Sequence, residues 1–296
     1  MGSAAPVVLP RRFTIAAWIS FLANILIVGT GGAVRLTGSG LGCPTWPTCV
    51  GSSVVSTPEM GIHGIIEFGN RTLTGVLLIA ALVVLVFTWR VRKQRRDLWA
   101  LARIVLLGII AQAIVGGITV LVKLNPTIVG FHYIVSLILV CITAAYLVRL
   151  RAAPGKRELV VPARYAILAH LTSAAIAITV TFGVLTTGAG PHSGDPNAGR
   201  NGFNAEFLQH VHSWPAYASL AGAVALVLWS LRGAPAVRNW SLAVLGVIGV
   251  QIVVGLWQAR TGLPILLVGI HMVLAVVLAA VMTVLIMKLK QPATAD

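Results

Sequence analysis

Eight apolar runs punctuate the chain, at Phe13–Val34, Thr72–Trp89, Trp99–Val122, Ile128–Val148, Tyr165–Leu185, Phe207–Leu231, Trp240–Trp257 and Pro264–Met287. Each is about 18–25 residues, the length that crosses a hydrocarbon core of about 30 Å at about 1.5 Å per residue. A backbone inside lipid must satisfy its own hydrogen bonds, so the runs predict helices. The ten-residue alternation of a membrane β-barrel is missing. The pattern therefore predicts an all-α integral membrane protein with eight transmembrane helices.

Composition agrees and removes the soluble alternatives. Hydrophobic residues make up 57% of the 296 positions and charged residues only 10%. A soluble domain carries about 25% charged residues. The net charge of +15 raises the question of nucleic acid. Its distribution answers it. With the N-terminus placed in the cytoplasm, only Arg35, Arg71, Lys123, Arg200 and Arg260 of the 22 Lys and Arg fall outside. The other basic residues fall inside, as the positive-inside rule expects. Both termini are thus expected in the cytoplasm, and the charge reports contact with the lipid bilayer, with no nucleic acid partner. The short N-terminal leader leaves little room for a transit peptide or cleavable signal. A multi-pass protein of a prokaryotic plasma membrane is the expectation.

A repeat runs through the chain. At an offset of 139, Gln112 matches Gln251, Gly116 matches Gly255, Gly130 matches Gly269 and His132 matches His271. Leu36-Thr37-Gly38-Ser39-Gly40 resembles Thr186-Thr187-Gly188-Ala189-Gly190, and Glu67 and Asn70 fall opposite Gln209 and His212. Four spans per copy put both copies into the membrane in the same direction, a parallel repeat. Residues 1–150 and 151–296 are expected to form two four-helix bundles.

Two longer connections, about 35–71 and 186–206, face outward. The first holds Cys43 and Cys49, which read as a disulfide in an oxidising exterior. Mid-span Cys141 reads as a small buried apolar residue.

Histidines carry the candidate chemistry. His63, His132, His210, His212 and His271 lie at one level in the outer leaflet, where ionisable residues are usually functional. His170 reads as a hydrogen-bonded core residue and His192 as a solvated loop residue. Histidines on facing helices of a bundle suit heme, with axial nitrogens from two helices. His212 and His271 form such a pair. His210 and His212 point about 200° apart on a helix, so only one faces the core, and the repeat favours His212. Zinc or copper would want further nitrogen or sulfur ligands, and a proton relay stays open.

The first copy differs. Spacings of four and three place His63, Glu67 and Asn70 on one helical face. Glu67 could exchange protons or pair with Arg71. Arg35 and Arg71 could hold heme propionates bidentately.

The segment Gly31-Gly32-Ala33-Val34-Arg35-Leu36-Thr37-Gly38-Ser39-Gly40-Leu41-Gly42-Cys43-Pro44 resembles the first-loop signature of the heme A synthases. So do the paired loop cysteines, Glu67 with Asn70-Arg71, and His132, His212 and His271 on their spans. The resemblance covers nearly the whole chain. It implies an oxidoreductase that converts the C8 methyl of heme O to a formyl group, giving heme A for terminal oxidases. It implies a heme b cofactor on the iron ligands His212 and His271. It also implies a substrate heme in the first half, with His132 as ligand and Glu67 as essential carboxylate. Implied partners are heme O, heme O synthase and a membrane or soluble electron donor; a homo-oligomer is left open. The chain departs from that pattern in two places. Asn70 stands where the family has His, so either His63 substitutes on the same face or His132 binds alone. Ser213 stands where Arg would follow His212. The rival readings are a non-enzymatic di-heme electron carrier and a heme transporter. A pure carrier would hold two bis-His hemes, which the contrast of Asn70 with His212 and of Glu67 with Gln209 disfavours.

Overall fold

A computed structural model describes residues 9–292. Eight long helices follow one another: α1 Arg11–Leu36, α2 Gly61–Trp89, α3 Arg96–Leu121, α4 Pro126–Leu150, α5 Ala163–Ala189, α6 Ala205–Gly233, α7 Arg238–Arg260 and α8 Ile265–Lys288. All eight are long and apolar enough to span a membrane. The protein is an all-α membrane protein of eight spans. Its outward faces carry Leu22, Ile79, Leu107, Leu171, Leu228 and Val253, each exposed, as helices bathed in lipid require.

Proline and asparagine set several helix starts. Pro126 occupies the first turn of α4, where its missing N–H costs nothing, and the Asn125 side chain accepts from the Thr127 N–H at 3.0 Å. Asn204 caps α6 in the same way through Phe207 N–H at 2.8 Å. Pro215 lies inside α6, and the helix continues through it.

Within residues 11–150, α1 packs on α2 and α4, and α3 packs on α2 and α4. Within residues 163–288, α5 packs on α6 and α8, and α7 on α6 and α8. The two sets meet through α1 with α8, α4 with α8, and α4 with α5. Val28, Leu137, Val140, Val276 and Ala280 fill that junction, and Cys141 packs against it as a partly buried free thiol. Buried hydroxyl pairs tie the helix ends: Thr88 with Tyr146 and Tyr165 with Ser241, both at 2.7 Å.

Three expectations are corrected. Helix α2 begins at Gly61 and carries His63, Glu67, Asn70 and Arg71 as their spacing predicts, so the connection expected over about 35–71 is shorter than the apolar pattern suggests. His170 is exposed rather than in the core, because α5 buries Tyr165, Ala166, Ala169, Thr172 and Ile176 and leaves His170 on its other face. His192 is bound rather than solvated: its Nε2 donates to the Leu263 carbonyl at 2.9 Å. The fold also adds a two-stranded antiparallel sheet, β1 Arg157–Leu159 against β2 Lys290–Pro292.

Candidate functional site

At the end of α1 opposite the N-terminus, the chain turns into the loop that carries Cys43 and Cys49. The two are joined by a disulfide and buried. Gly42 brings this loop against α2. A side chain there would run into the backbone of His63 and Gly64, so the approach needs glycine. That approach seats the Cys43 N–H on Glu67 Oε2 at 2.6 Å. Glu67 Oε1 accepts from Arg71 Nη2 at 2.5 Å, one helical turn on.

Arg71 does more than neutralise Glu67. Its Nη2 also donates to the Cys43 carbonyl at 2.8 Å, and its Nη1 to the Thr45 and Thr48 carbonyls at 3.0 and 3.2 Å. Four acceptors thus converge on one planar cation, which clamps the disulfide loop onto α2. Arg35 is used in the same fashion. Its Nε and Nη2 donate to the His192 and Thr187 carbonyls at 2.8 and 2.9 Å, joining the end of α1 to the end of α5 and the loop that follows it.

His63 is exposed, and its Nδ1 pairs with Ser39 Oγ at 2.9 Å. His63 and Glu67 therefore both meet the loop between α1 and α2. Asn70 instead faces α1, where its Oδ1 accepts from Thr30 Oγ1 at 2.8 Å. His132, on α4, lies beside α3. A Cβ at Gly116 would sit 3.4 Å from the His132 ring. His132 Nδ1 is buried and has no hydrogen-bond partner among the described residues. Trp46, from the disulfide loop, lies on Gly117, the next residue along α3.

The second half holds its histidines differently. His212 and His271 face each other with ring centres 6.4 Å apart. A metal-bound imidazole nitrogen lies about 2 Å from the ion and about 1 Å from its own ring centre, so two rings flanking one ion stand about 6 Å apart. The pair fits one iron held between two imidazoles. His212 Nδ1 donates to the Thr179 carbonyl at 2.8 Å, which leaves Nε2 as the free nitrogen. Such a second hydrogen bond fixes tautomer and ring direction in metal-ligating histidines. His271 Nδ1, like that of His132, is buried without a partner among the described residues. Glycines admit both rings: a Cβ at Gly183 would come within 2.9 Å of His212, and one at Gly255 within 3.1 Å of His271. His210 is exposed on the other side of α6. Among the described residues, no group of three or more His, Cys, Asp and Glu is arranged to hold a metal ion.

Sequence reasoning missed Thr30, Ser39, Thr179, Gly183 and Trp46. Thr179 acts through its carbonyl, which every residue has, so no residue pattern could have marked it.

The family model described as cytochrome oxidase assembly protein (COX15-CtaA) matches residues 14–283. Three similar relatives carry the name heme A synthase. That of Lysinibacillus sphaericus is 39% identical over 131 residues, 43% of this chain and 40% of the relative. That of Alkalihalophilus pseudofirmus is 28% identical over 127 residues, covering 43% and 42%. That of Listeria welshimeri is 34% identical over 121 residues, covering 40% and 39%. The matched stretches span about two fifths of these relatives.

Proposed function

The chain belongs to the COX15-CtaA family of cytochrome oxidase assembly proteins, and from that premise we propose that it is a heme A synthase, an oxidoreductase that converts the C8 methyl of heme O to a formyl group. Residues 1–150 form the substrate half and residues 151–296 the cofactor half. The observation that carries this reading is the asymmetry of the two halves. One presents two imidazoles spaced for a single iron. The other presents one imidazole packed beside α3, His132, with His63 at the rim, and a buried carboxylate, Glu67.

In the cofactor half, His212 Nε2 and a His271 nitrogen would hold the iron of heme b. A heme b bound there supplies one-electron transfer. The Thr179 carbonyl keeps His212 in the ligating tautomer, and Gly183 and Gly255 leave room for the rings.

In the substrate half, His132 ligates the iron of heme O, whose farnesyl tail lies between helices toward lipid. Asn70 offers an amide, engaged with Thr30, where the second copy offers His212, so His132 would be the one protein ligand of the substrate iron. Glu67 would take and return protons at its carboxylate as the methyl is hydroxylated twice, the carbon each time giving up two electrons to an external oxidant, and the hydrate then loses water. The Cys43 N–H and Arg71 hold that carboxylate in place. His63 lies at the rim of the site, on Ser39. A propionate that reaches Arg35 or Arg71 shares a guanidinium that the loops already use. The Trp46 ring covers α3 beside Gly116 and shields this end of the bundle from water.

In this reading the protein lies in the plasma membrane with both termini in the cytoplasm. It takes heme O from heme O synthase and draws on a membrane or soluble electron donor. The test is expression in a host that makes heme O but lacks heme A, with pigments extracted and identified by mass. Hydroxylated or formyl heme is expected. Folded, heme-loaded protein that yields neither product overturns the reading.

A further inference from the structure

At the other end of the molecule, α4 and α8 finish side by side and the short β1–β2 sheet closes over them. Leu150 lies 18 residues beyond His132 on α4, about 27 Å along the helix. Whatever happens here is remote from the histidines.

A cavity of about 360 Å³ opens between the end of α4, the turn after it and the end of α8. Arg151, Arg157, Lys288 and Lys290 line it, with Val148 and Met287 as apolar wall. None of the described residues lining it is acidic. Helix dipoles explain part of this charge, since Lys288 sits in the last turn of α8, where cations are favoured. They do not explain Arg157. That residue lies on β1, paired with Pro292 of β2. Its Nε and Nη2 are shielded from solvent and have no hydrogen-bond partner among the described residues. A buried guanidinium nitrogen without an acceptor is costly. Its surroundings increase the cost. Loss of water, then the nearby Arg149, hold the Arg157 guanidinium below its ordinary range. Asp97, the carboxylate near it, is already engaged by Arg95 through two contacts of 3.1 Å.

We propose that this cavity binds the phosphodiester headgroup of an anionic phospholipid, with Arg157 as the anchor and Lys288 and Lys290 flanking it. The location supports a lipid. The spans end here, so headgroups of the basic-side leaflet lie at this depth. Basic pockets between helix ends on that side suit anionic headgroups. The chemistry supports a phosphate. A planar guanidinium offers paired N–H groups to two phosphate oxygens, which a lone ammonium cannot. The apolar wall of Val148 and Met287 meets the glycerol and first methylenes, and a free phosphate would have no use for it. One lipid would touch α4 of the first half and α8 of the second, and so brace their junction.

The test uses the full-length protein in detergent and native mass spectrometry. Probes are phosphatidylglycerol, cardiolipin, phosphatidylcholine and inorganic phosphate. The protein is expected to retain one anionic phospholipid under conditions that strip phosphatidylcholine. Arg157→Gln and Lys290→Gln should each weaken that retention about 5-fold, the effect of one cation at an anionic surface. Arg157→Lys should fall between the natural protein and Arg157→Gln, since it keeps charge but loses the fork. Bound-heme absorbance and elution volume serve as the check that each variant is folded. Equal retention of phosphatidylglycerol and phosphatidylcholine by the natural protein overturns the proposal without recourse to any variant. So does full displacement of the lipid by millimolar phosphate, which would make free phosphate the ligand.

Discussion

The Tyr133 hydroxyl donates to the Met272 carbonyl across 2.9 Å, and these two residues stand at the same offset of 139 that matches His132 with His271. Each follows its histidine directly in the chain. The bond ties α4 to α8 just where both helices present an imidazole, so it fixes the relative depth of the two candidate sites. Tyr133→Phe removes one buried hydrogen bond, worth about 1 kcal/mol. Met272, as a mid-helix carbonyl, keeps its helical donor, so no orphan is left to add to the cost. A modest fall in thermal midpoint is expected, with heme spectra unchanged. An unaltered midpoint would show that the bond adds nothing to the junction.

The glycines beside the histidines give a test in which the sign of the effect decides. Replacing glycine by alanine inside an ordinary helix gains about 1 kcal/mol. At Gly183 and Gly255 the new methyl would come 2.9 and 3.1 Å from the His212 and His271 rings. These rings must then move, and their spacing of 6.4 Å with them. Gly183→Ala and Gly255→Ala should therefore lower heme retention or shift its spectrum, despite the helical gain. Gly246→Ala is the control, because nothing lies within 4 Å of that position. Its spectrum should match the natural protein. Two spectra as unperturbed as the control's would remove the rings from the iron.

Glu67 and Arg71 are one ion pair with unequal consequences. Glu67→Gln keeps one acceptor oxygen, enough for either the Cys43 N–H or Arg71 but not both, and leaves the three loop carbonyls on Arg71. It should stop conversion of heme O while sparing the His212/His271 spectrum. Arg71→Ala leaves the buried carboxylate unpaired and frees the Cys43, Thr45 and Thr48 carbonyls together. Loss of one partner of a buried pair costs about 3–5 kcal/mol. Thermal midpoints should thus fall far more for Arg71→Ala than for Glu67→Gln. Equal midpoints would mean that the clamp is not formed in solution.

How legible was all this in the chain itself? The spans were, because lipid demands some 20 apolar residues in a row and leaves no other backbone choice. The start of α2 was legible only in the spacing of His63, Glu67 and Asn70, not in hydropathy. Residues 61–71 include His63, Glu67, Asn70 and Arg71, and this stretch is covered by the disulfide loop rather than by lipid, so hydropathy carries no mark of it. The facing of His212 and His271 was legible, since ionisable residues at membrane depth are rare and these two lie at one level. The exposure of His170 was not. A helix apolar on all sides gives no periodicity to say which face turns inward. The double use of Arg71 and Arg35 by loop carbonyls was also hidden, because their acceptors are backbone groups that every residue shares.

The departure at Asn70 makes the last prediction. His63 and Asn70 are seven residues apart on α2, about 10 Å along the helix. His63 is exposed and bonded to Ser39, whereas Asn70 reaches α1 at Thr30. One iron opposite His132 cannot be served from both depths. If Asn70 marks the level of the substrate iron, His63 is not its ligand and His132 binds it alone. The Glu67→Gln background, which halts conversion, lets substrate heme be observed. There, heme O should show a five-coordinate, high-spin spectrum superposed on that of the His212/His271 heme. Adding His63→Ala should leave that spectrum unchanged. Adding Asn70→His should instead supply a second imidazole and convert it to a six-coordinate, low-spin form with tighter retention. If His63→Ala abolishes the heme O signal, the ligand sits two turns nearer the loop, and the level assigned to the iron from Asn70 is wrong.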